Sequence, residues 1–382
     1  MPIFIFIFFL LFISYLLLID YYNVAWKQLP LYDVSAKEPQ NFVSVIIAAR
    51  NEAGNLPALL DSLRQQDYPA GLWELIVIDD HSTDESWQIL KEFAGKDLPL
   101  RPYRLKDLLQ ENEKITAFKK RAIEAGIELS KGSLIVCSDA DCYFNPQWLR
   151  TLAVFQEENN AQFIAAPVQI VPGRSFLSRF QSLDFLILQG ITGASVFRRF
   201  HSMCNGANLA YTKAIFEEVG GFKGIDQIPS GDDMLLMHKI AHARPESVFY
   251  LKSRQAIVQT AAMANWKSFF QQRIRWASKT DAYDDRKLLG VLILVYLLNA
   301  CFLFLGIASF FPGPWWIFFC VFLLAKIMIE YPFVRSVAQF YGAGKLLLYF
   351  IPFQPVHVFY TVIAGWLGRF GSYEWKMRRI KK

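Results

Sequence analysis

Leu134-Ile135-Val136-Cys137-Ser138-Asp139-Ala140-Asp141 is an apolar run that ends in two carboxylates with one small residue between them. Its length and Val/Ile content suit a buried strand, which would deliver Asp139 and Asp141 to the end of a sheet, where open α/β folds bind ligands. If the segment stays extended, the two aspartates share a face, because side chains two apart on a strand point the same way. Carboxylates that close repel one another unless a cation lies between them. Mg²⁺ and Mn²⁺ take oxygen ligands and bridge to phosphates, so the segment points to a metal–diphosphate site. The competing reading is a strand followed by a turn, with Asp139 capping and Asp141 solvated.

Composition bounds the rest. With 382 residues, 53% hydrophobic, 34 Phe and only 19% charged, the chain is too apolar for an ordinary soluble domain and belongs partly in a membrane. The net charge of +6 is mild and gathers near the end (Lys376, Arg378, Arg379, Lys381, Lys382), which suits a membrane surface and not nucleic acid. Five cysteines show no CxxC pair and no zinc-type spacing, so no disulfide framework is expected.

Outward from the opening stretch, the chain divides into six segments. Residues 1–26 hold an apolar run from 3 to 24, long enough to span a bilayer, without the basic start or small-residue cleavage site of a signal peptide. Lys27 follows it and no basic residue precedes it, which puts the N-terminus outside and the next domain in the cytoplasm. Residues 27–41, with Pro30 and Pro39, form a linker, and residues 42–260 alternate strand and helix patterns in the βαβ rhythm of a parallel sheet. Residues 261–286 carry an amphipathic helix from about Trp266, and residues 287–334 form a transmembrane hairpin turning at Phe311-Pro312-Gly313-Pro314. Residues 335–382 are a re-entrant or transmembrane segment and the basic tail. Pro352 and Pro355 are expected to split Leu346–Leu367 into a helix pair that leaves the tail in the cytoplasm.

Polar residues fall where the predicted strands end. Phe42 to Ala49 runs into Arg50-Asn51-Glu52, and Trp73 to Ile78 runs into Asp79-Asp80-His81-Ser82-Thr83-Asp84. Ser82 to Asp84 can cap the next helix, but capping leaves Asp79 and Asp80 over, and a carboxylate there can accept from a uracil N3–H or a ribose hydroxyl. Neither GxGxxG nor GxxxxGK[ST] is present, which excludes a Rossmann dinucleotide and a P-loop triphosphate site. Lys114 opens a basic helix-like segment and can reach a diphosphate. Lys119, Lys120 and Arg121 read mostly as a solvated face. Ser230-Gly231-Asp232-Asp233 begins another helix with one carboxylate more than capping needs, and paired carboxylates suit a general base.

Taken in order, Val43 to Glu52, Val77 to Asp84 and Ser138 to Asp141 resemble the nucleotide-binding half of the family-2 inverting glycosyltransferases. The resemblance implies a GT-A fold: an α/β, Rossmann-like, mostly parallel sheet, here flanked by N- and C-terminal transmembrane helices. It implies a UDP-sugar donor with Mg²⁺ or Mn²⁺. It places Ala49 and Glu52 beside the nucleotide, Asp80 on uracil with Asp79 adjacent, Lys114 on the diphosphate, Asp139 between ribose and diphosphate, and Asp141 on the metal, with Asp139 sharing it. Met203 to Tyr211 and Val219-Gly220-Gly221-Phe222 resemble the acceptor side, where Asn208 could meet a sugar hydroxyl. Asp233 takes the position of the base and Asp232 that of the Glu that more often precedes it. Gln272-x-x-Arg275-Trp276 matches the Gln-x-x-Arg-Trp motif of membrane-embedded members, which assigns Gln272 and Arg275 to the diphosphate and Trp276 to the acceptor. Arg273 reads as a lipid-headgroup contact.

The expected protein is a multi-pass enzyme of the cell membrane, with a cytoplasmic catalytic domain, that moves a sugar from UDP to a lipid or saccharide acceptor. A processive polysaccharide synthase and a non-catalytic nucleotide-sugar-binding protein are the alternatives. Few spans oppose the first, and the combination of Asp233, Arg275 and both metal aspartates opposes the second.

Overall fold

The computed structural model describes residues 2–34, 37–111, 113–280, 283–375 and 378–381, which leaves Lys376 and Lys382 of the basic tail outside the described residues. In chain order the first elements are helix α1 (Pro2–Gln28), strand β1 (Val43–Ala49), α2 (Leu56–Arg64), β2 (Trp73–Asp79), α3 (Ser86–Phe93), β3 (Leu100–Arg104), a short α4 (Leu105–Leu108) and α5 (Phe118–Leu129). Next come β4 (Leu134–Asp139), β5 (Cys142–Phe144), α6 (Trp148–Asn159), β6 (Phe163–Ala165), β7 (Val168–Val171) and α7 (Phe176–Phe197). Then follow β8 (Leu209–Thr212), α8 (Lys213–Glu218), α9 (Met234–Ala243), β9 (Val248–Tyr250) and β10 (Val258–Ala261). The chain closes with α10 (Trp266–Ala277), α11 (Arg286–Ala308), α12 (Trp315–Phe340), α13 (Phe350–Phe370) and a hairpin of β11 (Ser372–Trp375) and β12 (Arg378–Lys381).

Two compact units result. One holds residues 30–169 and 202–261, and the other holds residues 1–29, 170–201 and 262–382. The α/β unit is built on a seven-stranded sheet of order β3-β2-β1-β4-β8-β6-β9. β2 and β4 both run parallel to β1, and β8 runs antiparallel to β4 and β6. β1, β2 and β4 are continuous Val/Ile/Leu runs because helices cover both faces of a parallel sheet, and nearly every residue in them is buried. The winding reverses between β1 and β4, since β2 and β3 lie on one side of β1 and β4 on the other. Such a reversal opens a crevice at the carboxyl ends of the strands. Register aligns those ends: Ala49 faces Asp79, and Ala48 faces Asp139.

The helical unit gathers α1, α7 and α10 to α13. Among the described residues, four helical stretches are long and apolar enough to cross a membrane: Ile3–Gln28, Arg286–Ala308, Trp315–Phe340 and Gly344–Phe370. α1 packs through Phe8, whose ring lies 5.2 Å from that of Phe302 and 4.6 Å from that of Phe322. Phe6, Leu17, Ile293, Trp316 and Met328 are exposed apolar residues, as a lipid-facing surface requires. α7 went unread in the sequence because Arg179, Gln181, Asp184 and Gln189 interrupt its apolar pattern. Three of these, Gln181, Asp184 and Gln189, are buried, and Gly190 lets α12 approach so closely that a Cβ there would come within 2.4 Å of Val337. The expected helix pair after Leu346 is instead a 3₁₀ segment, Gly344–Tyr349, followed by one helix that runs through Pro355. Pro352 sits in the first turn, where the missing N–H costs nothing, so only Pro355 interrupts the ladder.

Candidate active site

Within the α/β unit, the three predicted loops meet at the strand ends. The Asp80 amide donates to the Ala49 carbonyl at 2.7 Å, closing β1 against β2. Beyond them the loops are laced together: the Ser82 hydroxyl accepts from the Asn51 amide at 2.9 Å, Asn51 Oδ1 accepts from the Thr83 amide at 2.8 Å, and Asp84 accepts from the Ala53 amide at 3.1 Å. Asn51 and His81 hold left-handed backbone with φ of 52° and 55°, conformations that a non-glycine residue keeps only where its surroundings enforce them. Glu52 is buried, and its carboxylate accepts from the Asn55 side-chain amide at 2.6 Å.

Asp79 and Asp80 are both buried but differently engaged. Asp80 faces His81 Nδ1 at 2.9 Å and the Arg50 guanidinium at 3.8 Å. Asp79 keeps one buried carboxylate oxygen without a hydrogen-bond partner among the described residues. A buried acceptor left open is costly unless something supplies a donor, which fits a ligand N–H or hydroxyl at this edge.

Asp139 ends β4 and Asp141 lies in the turn before β5, so the expected extended segment carrying both on one face is not what forms. The reason is topological: β4 pairs with β1, while β5 pairs with β10 in a second sheet of order β5-β10-β7, and the chain must turn between them. Both aspartates remain half-buried at the sheet edge.

The centre of the site is a residue the sequence reading set aside. Lys119 Nζ lies 2.8 Å from Asp139 Oδ1 and 2.8 Å from Asp232 Oδ2, so a single ammonium joins the end of β4 to the start of α9. Burial pushes this ammonium down, but the two carboxylates outweigh burial and hold it well above its ordinary range. Gly206 walls the cluster, since a Cβ there would sit 3.3 Å from Lys119 Nζ and 3.4 Å from Asp232 Oδ2. Asp233 caps α9: Oδ1 accepts from the Met234 amide at 2.8 Å, and Oδ2 accepts from the Gly206 amide at 3.0 Å.

The solvated-face reading of the basic segment is therefore corrected. Lys120 is buried and donates to the carbonyls of Ile225 and Ile228 at 2.7 Å and of Ser230 at 3.0 Å, pinning the approach to Asp232. Arg121 pairs with Glu113 at 2.7 Å. Lys114 lies ahead of α5 and is exposed. Lys119 is the second residue of α5, within a run of three basic residues, and spacing alone does not separate it from a surface lysine.

Asn208 requires a second correction. It is completely buried, its Nδ2 donates to Pro167 and Ala256 carbonyls at 2.8 Å each, and its Oδ1 accepts from Trp148 Nε1 at 3.0 Å. With these groups spent on the fold, it has none to offer an acceptor sugar.

Gln272, Arg275 and Trp276 lie on α10 in the helical unit. Gln272 has a buried Oε1 without a partner among the described residues. Arg273 is not a headgroup contact: it is 4% exposed, pairs with Asp184 at 2.8 Å, and stacks 4.2 Å over the Trp276 ring. Tyr360 donates to Asp184 at 2.7 Å, and His357 Nδ1 lies 3.1 Å from it.

A mostly parallel sheet with carboxylates at its switch point and a second carboxylate pair brought against them is the arrangement of a GT-A glycosyltransferase. Residues 44–220 match the family model described as glycosyl transferase family 2, and residues 134–329, just over half of the chain, match that described as glycosyl transferase family group 2. The chain belongs to glycosyltransferase family 2, and it spans less than two thirds of the length of the curated relatives it matches. It is 28% identical over 204 residues to glycosyltransferase AglE of Haloferax volcanii, covering 50% of this chain and 59% of the relative. It is 32% identical over 118 residues to the beta-monoglucosyldiacylglycerol synthase of a Nostoc species, covering 31% of this chain and 24% of that one. Among solved structures, the mannosyltransferase PcManGT from Pyrobaculum calidifontis, in complex with GDP-Man and Mn²⁺, superposes with a TM-score of 0.57 at 18% identity over 96% of this chain and 97% of that one, and shares the fold.

Proposed function

We propose that this enzyme transfers a sugar, of hexosyl or N-acetylhexosaminyl type, from a UDP-sugar to a lipid or saccharide acceptor with inversion, by direct displacement at a membrane. The observation that carries the reading is the Lys119 bridge: the Asp-x-Asp residue Asp139 and Asp232, the neighbour of Asp233, share one ammonium although almost a hundred residues apart in sequence. Donor and base chemistry are thereby within reach of one reacting centre. In the reaction, the acceptor hydroxyl oxygen bonds to the anomeric carbon while the carbon–oxygen bond to the diphosphate breaks, and Asp233 takes the hydroxyl proton. Asp233 suits that part because amides of Met234 and Gly206 fix its orientation. Asp80 and Asp79 take the nucleobase and ribose donors, with Ala49 and Glu52 alongside and Lys114 free to swing onto the diphosphate.

The donor set suits a divalent cation that takes one or two carboxylates and completes its shell with phosphate oxygens: Asp139 and Asp232 already share one ammonium, and Asp141 follows Asp139 by two residues at the same half-buried edge. Asp141 and Asp139 would hold Mg²⁺ or Mn²⁺, which when bound offsets the charge developing on the departing diphosphate. The roles of Gln272 and Arg275 at the diphosphate and of Trp276 at the acceptor rest on the sequence motif. The Nostoc relative is by name the maker of a glycolipid, which supports a lipid acceptor. We assign the apolar helices to the cell membrane, with the α/β unit on the cytoplasmic side and the end of the chain kept there by Phe350–Phe370 lying along the membrane interface.

Purified full chain in detergent, supplied with UDP- and GDP-sugars, Mn²⁺ or Mg²⁺ and membrane lipids, tests the reading. Single additions with inverted anomeric configuration, seen by NMR, are expected from a UDP-sugar. Turnover only with GDP-sugars would overturn the donor, long polymers would replace the reading by a processive synthase, and tight UDP binding without turnover would leave a binder. Reporter fusions near residue 382 test the topology, and an external end would make Phe350–Phe370 a crossing.

A further inference from the structure

The mechanism above gives Lys119 nothing to do, yet its ammonium is paired with two carboxylates from distant segments. Its ammonium touches Asp139 and Asp232 at 2.8 Å each, under the backbone of Gly206. The helix that carries it is fixed by the neighbouring Lys120, whose ammonium is spent on three carbonyls of the loop leading into Asp232. Lys119 therefore reaches the carboxylates from a rigid base, with a flexible four-carbon stem as its only freedom. A divalent cation that bonds Asp139 draws on the same carboxylate charge at closer range than the ammonium takes. Two cations cannot share that carboxylate at full strength.

We propose that Lys119 is a tethered stand-in for the divalent cation, an inference that rests on the metal reading of Asp139 and Asp141. While the site holds no donor, Lys119 neutralises Asp139 and Asp232 and keeps a bare cation out. When the cation arrives with a nucleoside diphosphate, the phosphates bring the negative charge that lets both cations stay, and Lys119 gives up Asp139 while keeping Asp232. Cation binding is thereby made conditional on the nucleotide, and the proposed base pair Asp232-Asp233 is never left as an unbalanced double charge. The coupling is reciprocal, as any linkage between two ligands must be.

The test is binding of Mn²⁺ alone, and of Mn²⁺ with UDP, to the purified full chain in detergent, read from the free-Mn²⁺ electron paramagnetic resonance signal. Lys119→Met should bind bare Mn²⁺ about tenfold tighter than the unaltered protein, and the advantage should shrink several-fold with UDP present, within the usual range of coupling between sites. Lys119→Arg keeps the charge and should retain weak bare binding. Lys119→Gln, closer in shape, takes the place of the methionine variant should that one fail to melt cooperatively. Bare-Mn²⁺ affinity that is unchanged or weaker in the neutral variants, or equally raised in Lys119→Arg, would overturn the inference while leaving the metal reading intact. Absence of Mn²⁺ binding with UDP in every form would overturn the metal reading, and this inference with it.

Discussion

Two buried polar clusters in this molecule look alike in composition and differ in balance. In the helical unit, Lys326 Nζ meets Glu330 Oε1 and Gln354 Oε1 at 2.6 Å each, Gln354 Nε2 donates to Glu330 Oε2 at 2.8 Å, and Tyr15 also donates to Glu330. One cation answers one anion, and neutral groups from α1 and α13 fill the remaining positions. In the α/β unit, Lys119 stands between two carboxylates, Asp139 and Asp232, each 2.8 Å from its ammonium. The first cluster is closed and can only hold helices together. The second carries surplus negative charge at an open sheet edge, and surplus charge is what a cationic or proton-donating ligand reads. The same distinction separates Asp80, engaged by His81 and Arg50, from Asp79, whose buried oxygen lacks a partner among the described residues.

The comparison can be broken first at its open end. Asp233→Asn should lower the transfer rate by about 10²–10⁴-fold, the usual worth of a general base, well beyond the modest fall in melting temperature from the one backbone amide it leaves without an acceptor. A full loss in Asp232→Asn with transfer intact in Asp233→Asn would exchange the two roles. At the closed end, Glu330→Leu leaves a buried ammonium unanswered and should cost about 3–5 kcal/mol, seen as a lower melting temperature in detergent. Removing both charges in Lys326→Leu/Glu330→Leu should recover most of that loss, since a buried pair contributes little beyond its own cancellation. No such recovery is expected for activity when Lys119 and Asp139 are removed together.

Smaller effects sharpen the boundary. Asn208→Ala should cost about 1–3 kcal/mol of stability through the unpaired Trp148, Pro167 and Ala256 groups, while the acceptor KM of the protein that folds stays the same. A raised KM at unchanged stability would return Asn208 to the acceptor side. Glu74 lies at the other end of β2, where burial pushes its carboxyl up but the Lys131 amide, the Ser44 hydroxyl and the Arg101 guanidinium together hold it below the ordinary range. Its contribution is present above the ordinary carboxylate range and is lost as pH falls through its lowered folded value. Glu74→Gln should therefore cost about 1 kcal/mol near neutrality and flatten the acid limb of melting temperature against pH, without changing transfer kinetics.

Much of the fold was legible because it is local. Continuous apolar runs of Val, Ile and Leu mark strands buried on both faces, the leucines at 56, 59, 60 and 63 mark one face of α2, and all four are buried as the spacing requires. α1, α11 and α12 follow from length and hydropathy. α7 was not legible, because a helix that buries Gln181, Asp184 and Gln189 carries neither the clean stripe of a surface helix nor the uniform apolarity of a span. Arg273 and Lys119 illustrate the same limit. Each is a basic residue in a helix, and only the carboxylate delivered by a distant segment, Asp184 to one and Asp139 with Asp232 to the other, takes it off the surface.

The sequence by itself determined the βαβ order, the acidic strand ends, the apolar helices and, through the ordered motifs, the family. Those features are written in residue type and spacing, which short-range sterics and hydrophobic periodicity translate directly. Only the tertiary structure decided that Asp141 leaves the strand for a turn between two sheets, that Asn208 is spent inside the fold, and that Lys119 bridges the two carboxylate groups. These depend on which distant backbone brings a partner within about 3 Å, the reach of a hydrogen bond, and no local pattern encodes that distance.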